Sequence, residues 1–165
     1  MKPYYEINKK STIYKDLQDF AFSPSEWVPY YNFNAKHIPH EILFQDDFFR
    51  WLSQRYNFLA GVLKLDPYTC YDWHTDTRRG VGINMLLTPP TQRQACLFKV
   101  DSDKTVFKIE ELKYKPSTYY LFNTQIPHTV YNFETTRYLL SIEFAKNKEQ
   151  LSFEELVKDI QLNYE

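Results

Sequence analysis

The stretch "STYYLFNTQIPHTVYNFETTRYLLSIEFA", residues 117–145, contains three short runs rich in aromatic and β-branched residues, separated by polar turn residues. Runs of this kind are typical of β-strands, and the segments between them are typical of turns. Similar runs precede it between residues 59 and 112, in "LAGVLKLDP", "CYDWHTD", "GVGINMLLTPP", "QACLFKV" and "KTVFKIEEL". Seven or eight evenly spaced short strands predict a sandwich or a jelly roll.

Helices are predicted on either side of these strands. The apolar spacing in residues 40–58, "HEILFQDDFFRWLSQRYNF", is helical rather than strand-like. Ser152 and Glu155 form the pattern of a capping box at the start of a C-terminal helix. The first 35 or so residues are aromatic-rich and interrupted by prolines, so we expect an irregular segment with short strands.

The expected fold class is therefore mainly β with flanking helices, in a single domain. We expect an N-terminal irregular segment and helix over residues 1–57, a β core over 58–145 and a C-terminal helix over 146–165. Within the core, "VDSDKT", residues 100–105, predicts a hairpin turn, because Asp and Ser form local side-chain hydrogen bonds there.

Composition excludes several classes of partner. The 165 residues carry a formal net charge of −1, which gives no general attraction for phosphate backbones or anionic membranes and argues against a nucleic-acid substrate. No apolar run reaches transmembrane length, and no segment resembles a signal peptide. Cys70 and Cys96 are too few for a disulfide scaffold. We expect a soluble cytoplasmic protein with two free thiols.

A histidine and an aspartate end one of the predicted strands, in "YDWHTDTRRGVGIN", residues 71–84. A strand sends residues i and i+2 to the same face, so His74 and Asp76 can aim an imidazole and a carboxylate at one point. This pair alone is weak, because it is also compatible with an ordinary polar turn.

A second histidine, His128, is followed nine residues later by Arg137. A turn at residues 132–135, "NFET", predicts a hairpin that places both on paired strands facing one cavity. A buried arginine there requires an anion, either a protein carboxylate or an acidic small molecule. Ser141 shares the face of Arg137, so its hydroxyl can bind the second oxygen of the same carboxylate.

Together His74, Asp76 and His128 supply two imidazoles and one carboxylate. This facial set leaves three positions open on a non-haem iron(II), enough for a co-substrate and for dioxygen.

This combined pattern resembles a known family. A His-x-Asp pair, then about fifty residues, then His128 and Arg137 resembles the iron(II)/2-oxoglutarate-dependent dioxygenases, particularly prolyl-hydroxylase-like and small phage-encoded members. The resemblance covers about residues 58–145. It implies a double-stranded β-helix, also called a jelly roll or cupin barrel. It further implies His74, Asp76 and His128 as iron ligands, with Arg137 binding the distal carboxylate of 2-oxoglutarate.

The sequence departs from the family at one position. Many prolyl-hydroxylase-like members carry a tyrosine on the strand after the His-x-Asp pair, where it touches the same carboxylate. The inward residues of that strand here are Gly82, Asn84 and Leu86, so we predict Asn84 as its substitute. Ser141 stands where some members carry a hydroxyl residue, four positions after the arginine.

The resemblance implies hydroxylation of an unactivated C–H bond by dioxygen, with release of succinate and CO2. Asp76 favours hydroxylation over halogenation, because halogenating relatives leave that position vacant for chloride. The implied substrate is an amino-acid side chain, in a peptide or as a free amino acid, in a host cytoplasm if the protein is phage-encoded. Two alternatives stay open: a cupin-type metal enzyme that does not use 2-oxoglutarate, and a non-catalytic jelly-roll binding protein. The oligomeric state is also open.

The residues after Asp76 have several interpretations. Gly80 permits a sharp turn, either with a positive φ or as an ordinary turn residue. Gly82 would point into the cavity and leave room for the co-substrate. Arg78 and Arg79 are interpreted as solvated loop charges in preference to contacts for an acidic substrate.

Overall fold

Two antiparallel β-sheets form the body of the protein in the computed structural model, which describes residues 1–89, 91–101 and 105–165. The larger sheet has seven strands in the order β1-β9-β6-β11-β4-β3-β2, and the smaller has four in the order β5-β10-β7-β8. The strands are β1 (Tyr4–Glu6), β2 (Val28–Tyr30), β3 (Phe33–His37), β4 (Phe58–Leu65), β5 (Cys70–His74), β6 (Val81–Leu86), β7 (Gln94–Lys99), β8 (Ile109–Glu111), β9 (Tyr120–Asn123), β10 (His128–Asn132) and β11 (Arg137–Phe144). This arrangement confirms the predicted fold class, mainly β with flanking helices in a jelly roll.

Four helices accompany the sheets: α1 (Tyr14–Phe22), α2 (His40–Leu43), α3 (Asp47–Ser53) and α4 (Phe153–Asn163). The predicted capping box is present at α4, where the Ser152 side chain accepts from the Glu155 backbone N–H and the Glu155 carboxylate accepts from the Ser152 N–H. Within the described residues, no helix has the length and apolar character needed to cross a membrane. Cys70 and Cys96 are both free thiols, as predicted.

Side-chain alternation along the larger sheet divides the interior into two apolar clusters. On β11, Leu140 and Ile142 pack in a cluster that also contains buried residues of all four helices, whereas Leu139 packs in the cluster between the two sheets. On β9, Tyr119, just before the strand, joins the first cluster, and Tyr120 joins the second. The prediction that these two tyrosines lie on opposite faces of the sheet is therefore confirmed.

Most of the predicted strands are present. Of the strand expected in "KTVFKIEEL", residues 104–112, the described part from residue 105 onward forms a strand at Ile109–Glu111. The hairpin turn expected over residues 100–105 falls partly outside the described residues.

Two predictions about helices need correction. The helix expected over residues 40–58 is two short helices, α2 and α3, because the Asp46 side chain accepts from the Phe48 N–H and starts a new helix there. Helix α1 lies within the segment expected to be irregular. The residue before it, Ile13, occupies the N-cap position and makes no side-chain capping hydrogen bond, so the sequence carries no capping signal for the start of α1.

The predicted hairpin between β10 and β11 is wrong. Strand β10 pairs with β5 and β7 in the smaller sheet, and β11 pairs with β4 and β6 in the larger one. The turn at residues 132–135 therefore carries the chain from one sheet to the other. His128 and Arg137 still reach one cavity, because their sheets face each other.

A buried aspartate joins the N-terminal segment to the core. Asp46 is 3% exposed and accepts hydrogen bonds from the Thr12 N–H (2.8 Å), the Tyr119 hydroxyl (3.0 Å) and the Phe48 N–H (2.8 Å). Loss of this carboxylate leaves several buried hydrogen-bond donors without an acceptor and removes the N-cap of α3.

We therefore predict that Asp46→Ala lowers the free energy of unfolding by about 3 kcal/mol, measured by chemical denaturation. The matched control is Asp47→Ala, since Asp47 is the next residue, is exposed, and is paired with Arg50 on the surface. This control should change stability by no more than about 0.5 kcal/mol. Equal effects of the two substitutions would contradict the role given to Asp46.

Candidate metal centre

Three predicted residues meet where β5 and β10 lie side by side. His74 ends β5, His128 begins β10, and the two are paired across the strands, while Asp76 lies two residues beyond β5. One ligand atom of each lies within 4.8 Å of the others. Asp76 Oδ1 is 3.7 Å from His74 Nε2 and 4.0 Å from His128 Nε2. An ion bonded at about 2.1 Å to each of two ligands spans at most about 4.2 Å between them, so one ion can reach Asp76 and either histidine. A facial arrangement, with ligands at about 90°, would draw these atoms to about 3 Å.

The backbone fixes which imidazole nitrogen faces the cluster. His74 Nδ1 lies 2.6 Å from the Asp72 carbonyl oxygen, and His128 Nδ1 lies 2.9 Å from the Ile126 carbonyl oxygen. A carbonyl oxygen only accepts hydrogen bonds, so each Nδ1 carries the proton. Each Nε2 is then left with a free lone pair directed towards Asp76, which is the state that a metal ligand requires.

Burial keeps His128 in this neutral state. The side chain is almost fully enclosed, and its desolvation lowers the pKa of His128 to about 4. The hydrogen bond to Ile126 opposes this shift but is the smaller effect. At neutral pH the imidazole is therefore uncharged and needs to lose no proton before it binds a cation.

Arg79 holds the second oxygen of Asp76. Its Nε lies 2.8 Å and its Nη2 2.7 Å from Asp76 Oδ2, with both side chains mostly buried. Both contacts converge on Oδ2, so they hold that oxygen on the side of the carboxylate away from the histidines. Oδ1 is therefore left facing the two histidines. The interpretation of Arg79 as a solvated loop charge is wrong, because it is paired with Asp76.

The same turn is tied to the segment that leads into His128. The Thr124 hydroxyl donates to the Arg79 carbonyl (2.5 Å), and the Gln125 side-chain amide donates to the carbonyls of Asp76 (2.9 Å) and Arg79 (2.7 Å). The Asp76 N–H donates in turn to the Thr124 carbonyl at 3.0 Å. These bonds hold the two halves of the candidate centre in one position.

A cavity runs from the histidines into the space between the sheets. We call it the inner cavity, and it is lined among others by His74, Asn84, Tyr114, His128, Arg137 and Ser141. Arg137 is 2% exposed there. Its Nε donates to the Gln94 side-chain oxygen at 3.2 Å, and its Nη2 is buried without a hydrogen-bond partner. Among the described residues, no carboxylate forms an ion pair with it.

The other predicted cavity residues also lie where the alternation places them. Asn84 and Ser141 are paired across β6 and β11, and both line the inner cavity together with Gly82. A Cβ on Gly82 would make ordinary contacts with the Ile142 carbonyl at 3.5 Å and Arg79 at 3.9 Å. Leu86 packs in the apolar cluster between the sheets.

Glycine is required at position 80 for a different reason from the one expected. No glycine in the described residues has a positive φ. Instead, a Cβ on Gly80 would lie 2.5 Å from the Leu151 carbonyl oxygen and 3.1 Å from Lys148 Cα. Glycine is required there because the segment leading to α4 passes directly over the turn.

Sequence reasoning missed three polar residues of this region: Arg79 as the partner of Asp76, Gln94 as the partner of Arg137, and Tyr114 in the cavity wall. The short separation of Asp76 and Arg79 was a usable signal. Gln94 and Tyr114 gave none, because their positions depend on which distant strands face each other.

The candidate centre opens to the surface beside an aromatic hairpin. We call this opening the mouth, and it is lined among others by Tyr30, Tyr31, Phe33, Tyr71, Arg78 and Glu143. His74 and Asp76 also line it, so a molecule entering there reaches the centre directly. The Tyr30 hydroxyl donates to Glu143, and desolvation raises the pKa of Glu143 above its usual value.

Comparisons with known proteins identify the fold. No protein-family model matches the chain, and a search of curated proteins finds no match. Among solved structures, a Pseudomonas putida prolyl-4-hydroxylase is similar at a TM-score of 0.64 and 15% identity, over 87% of this chain and 92% of that one. A Trichoplax adhaerens prolyl hydroxylase, in complex with a hypoxia inducible factor peptide fragment, is similar at 0.60 and 15%, over 99% of this chain and 88% of that one.

A third structure is the non-heme alpha-ketoglutarate-dependent epimerase SnoN of nogalamycin biosynthesis. It is similar at a TM-score of 0.57 and 10% identity, over 87% of this chain and 78% of that one. At such identities the likeness concerns the fold alone. The chain therefore has the jelly-roll fold found in these two prolyl hydroxylases and in this epimerase.

The Arg79–Asp76 pair leads to a prediction about metal affinity. We expect Arg79→Ala to weaken binding of Mn²⁺ or anaerobic Fe²⁺ by about 10- to 100-fold, because the freed carboxylate can rotate away from the histidines. Calorimetric titration measures the change. The control is Arg78→Ala, which removes the neighbouring guanidinium without touching Asp76. Unchanged affinity in Arg79→Ala would show that the pair does not orient Asp76.

Proposed function

We propose that this protein is an iron(II)- and 2-oxoglutarate-dependent dioxygenase that hydroxylates an unactivated C–H bond, with release of succinate and CO2. The observation that carries the proposal is Arg137. It is a buried cation with an unpartnered Nη2 in the same cavity as His74 and His128. The fold, shared with 2-oxoglutarate-dependent enzymes, supports the same conclusion.

The donor set fits iron(II). Two imidazoles and one carboxylate are the facial ligands of non-haem iron oxygenases, and His74, Asp76 and His128 provide them close enough together to share one ion. When bound, the iron supplies the activation of dioxygen that no amino-acid side chain provides. The protein holds the ligands in fixed orientations through the Asp72 and Ile126 carbonyls and through Arg79.

Arg137 fits the distal carboxylate of 2-oxoglutarate. A guanidinium stays charged inside a protein, and leaving it without an anion in a cavity costs free energy. Its one hydrogen-bond acceptor within the described residues, Gln94, is neutral. A dicarboxylate that reaches the metal with one end can pair its other end with Arg137. Ser141 and Asn84 lie on the same wall, and we propose that they contact this carboxylate as well.

The substrate enters through the mouth. Tyrosine and phenylalanine side chains surround that opening, with Arg78 and Glu143 as charged groups at its edge. We propose an amino-acid side chain as the substrate, carried by a peptide or by a free amino acid. The similarity to two prolyl hydroxylases supports this class. A cytoplasmic location and a phage-encoded origin remain predictions from the sequence.

The two alternatives leave central features without a role. A cupin-type metal enzyme that does not use 2-oxoglutarate needs the three ligands but not a buried Arg137. A jelly-roll binding protein without catalysis needs neither the free Nε2 atoms nor the clamped Asp76. One titration separates the three possibilities.

We predict that anaerobic addition of Fe²⁺ and 2-oxoglutarate produces a weak visible charge-transfer band. Arg137→Ala should weaken 2-oxoglutarate binding by about 100-fold or more, because the carboxylate loses a desolvated charge partner. Titration of the band with 2-oxoglutarate gives the affinity of the wild-type protein and that of Arg137→Ala. Its absence in the wild-type protein would rule out the proposed function.

Three controls accompany this experiment. Arg93→Ala removes an exposed arginine paired with Glu134 on the surface and should leave the affinity unchanged. His74→Ala should abolish metal binding and with it the band. Thermal unfolding of Arg137→Ala without ligand checks that the variant is folded, since it loses the hydrogen bond to Gln94 and leaves a cavity in place of a buried side chain. An affinity for 2-oxoglutarate that survives Arg137→Ala unchanged would overturn the role of that arginine.

A further inference from the structure

Unpartnered polar atoms converge at the inner end of the inner cavity. Within the described residues, three buried side-chain polar atoms have no hydrogen-bond partner: Thr88 Oγ1, Tyr114 Oη and Arg137 Nη2. Two of them, on Tyr114 and Arg137, line the inner cavity, and the Arg137 guanidinium carbon lies 5.8 Å from the centre of the Tyr114 ring. The Tyr114 hydroxyl lies near the Cys96 thiol and the Arg137 guanidinium, but no hydrogen bond of normal geometry joins them. Buried polar groups are nearly always satisfied in folded proteins, so the two neighbouring groups leave room for a further partner.

Tyr114 is held firmly in this position. It lies between β8 and β9 and is 7% exposed. Its ring packs edge-on against Tyr120, with centroids 5.4 Å apart, inside the cluster between the two sheets. Burial raises the pKa of Tyr114 well above its usual value. The phenol is therefore neutral at physiological pH and keeps its O–H as a donor.

The missing partner must accept hydrogen bonds from both groups. Arg137 offers only donors, and the Tyr114 hydroxyl offers one. A carboxylate has two oxygens, so it can accept from the guanidinium with one and from the phenol with the other. A neutral guest would leave the charge of Arg137 unpaired.

We propose that Tyr114 binds the distal carboxylate of the co-substrate together with Arg137, its hydroxyl donating to one carboxylate oxygen. This inference rests on the proposed function and adds a binding residue from the segment between β8 and β9. Tyr114 thereby contributes to the selection of keto acids that carry a second carboxylate over those that do not. In this proposal the hydroxyl recognises the carboxylate, whereas the aromatic ring only forms part of the cavity wall.

The test is binding of keto acids to the full-length protein loaded anaerobically with Fe²⁺. Wild-type protein and Tyr114→Phe are each titrated with 2-oxoglutarate and with 2-oxovalerate, which keeps the metal-chelating end but lacks the distal carboxylate. Tyr114→Phe should weaken the binding of 2-oxoglutarate by about tenfold or more, because the variant loses a hydrogen bond to a charged group. Binding of 2-oxovalerate, which is weaker from the start, should not change.

Tyr120→Phe is the matched control. It removes a hydroxyl from the neighbouring buried ring, where the Tyr120 Oη accepts from the Lys115 N–H at 3.2 Å and lies outside the lining of the inner cavity. Its affinity for 2-oxoglutarate should equal that of the wild type. Tyr114→Phe should also unfold close to the wild-type temperature, because the hydroxyl it loses makes no hydrogen bond of normal geometry among the described residues.

The outcomes separate this inference from the proposed function. Wild-type affinity for 2-oxoglutarate in Tyr114→Phe would overturn the role of Tyr114 and leave the proposed function standing. Equal weakening of the binding of both keto acids would also overturn the role of Tyr114, because the effect would not depend on the distal carboxylate. Absence of 2-oxoglutarate binding by the wild-type protein would overturn the proposed function and this inference together.

Discussion

The alternation of side chains along the strands of the larger sheet is the constraint on which the core and the candidate site both depend. Strand β11 places Leu140 and Ile142 in the cluster shared with the helices and Arg137 and Ser141 in the inner cavity. A shift of one residue in register would exchange these sets and put a guanidinium into the apolar core. Pairing of β11 with β4 along its full length, and with β6 on its other side, opposes such a shift.

The candidate metal centre depends on a second constraint, the meeting of two chain segments far apart in sequence. Strands β5 and β10 pair so that His74 lies opposite His128. The hydrogen bonds from Thr124 and Gln125 to the turn after Asp76 fix the remaining freedom between the segments. Because the imidazoles and the carboxylate are already oriented, a cation binding there would require little rearrangement.

The sequence predicted the strands well because their turn residues and their alternation are local signals. It also placed His74, Asp76, His128 and Arg137 around one cavity, since their spacing matches a known pattern. The reason given for the proximity of His128 and Arg137 was wrong. A turn between two strands does not reveal whether the second strand pairs with the first or crosses to the opposite sheet.

Other features lay beyond the sequence for the same physical reason. Tyr114 reaches the inner cavity only because the segment after β8 packs against β9, and Gln94 reaches Arg137 only because β7 faces β11 across the interior. Helix α1 is stabilised through the burial of Leu17 and Ala21 against the sheet and not through a cap. These are long-range contacts, which neither propensity nor periodicity encodes.

The two ends of the inner cavity make different demands on a guest. Near the mouth, His74, Asp76 and His128 offer lone pairs to a cation. Further along the cavity wall, Arg137 offers a positive charge whose Nη2 has no hydrogen-bond partner among the described residues, and Tyr114 offers a hydroxyl in the same condition. Under the proposed function, a simple chelator would satisfy the metal and leave Arg137 unpaired, and a simple carboxylate would do the reverse. A molecule that chelates at one end and carries a carboxylate at the other satisfies both at once. Its binding would then stabilise the fold by relieving the cost of the buried, unpaired guanidinium.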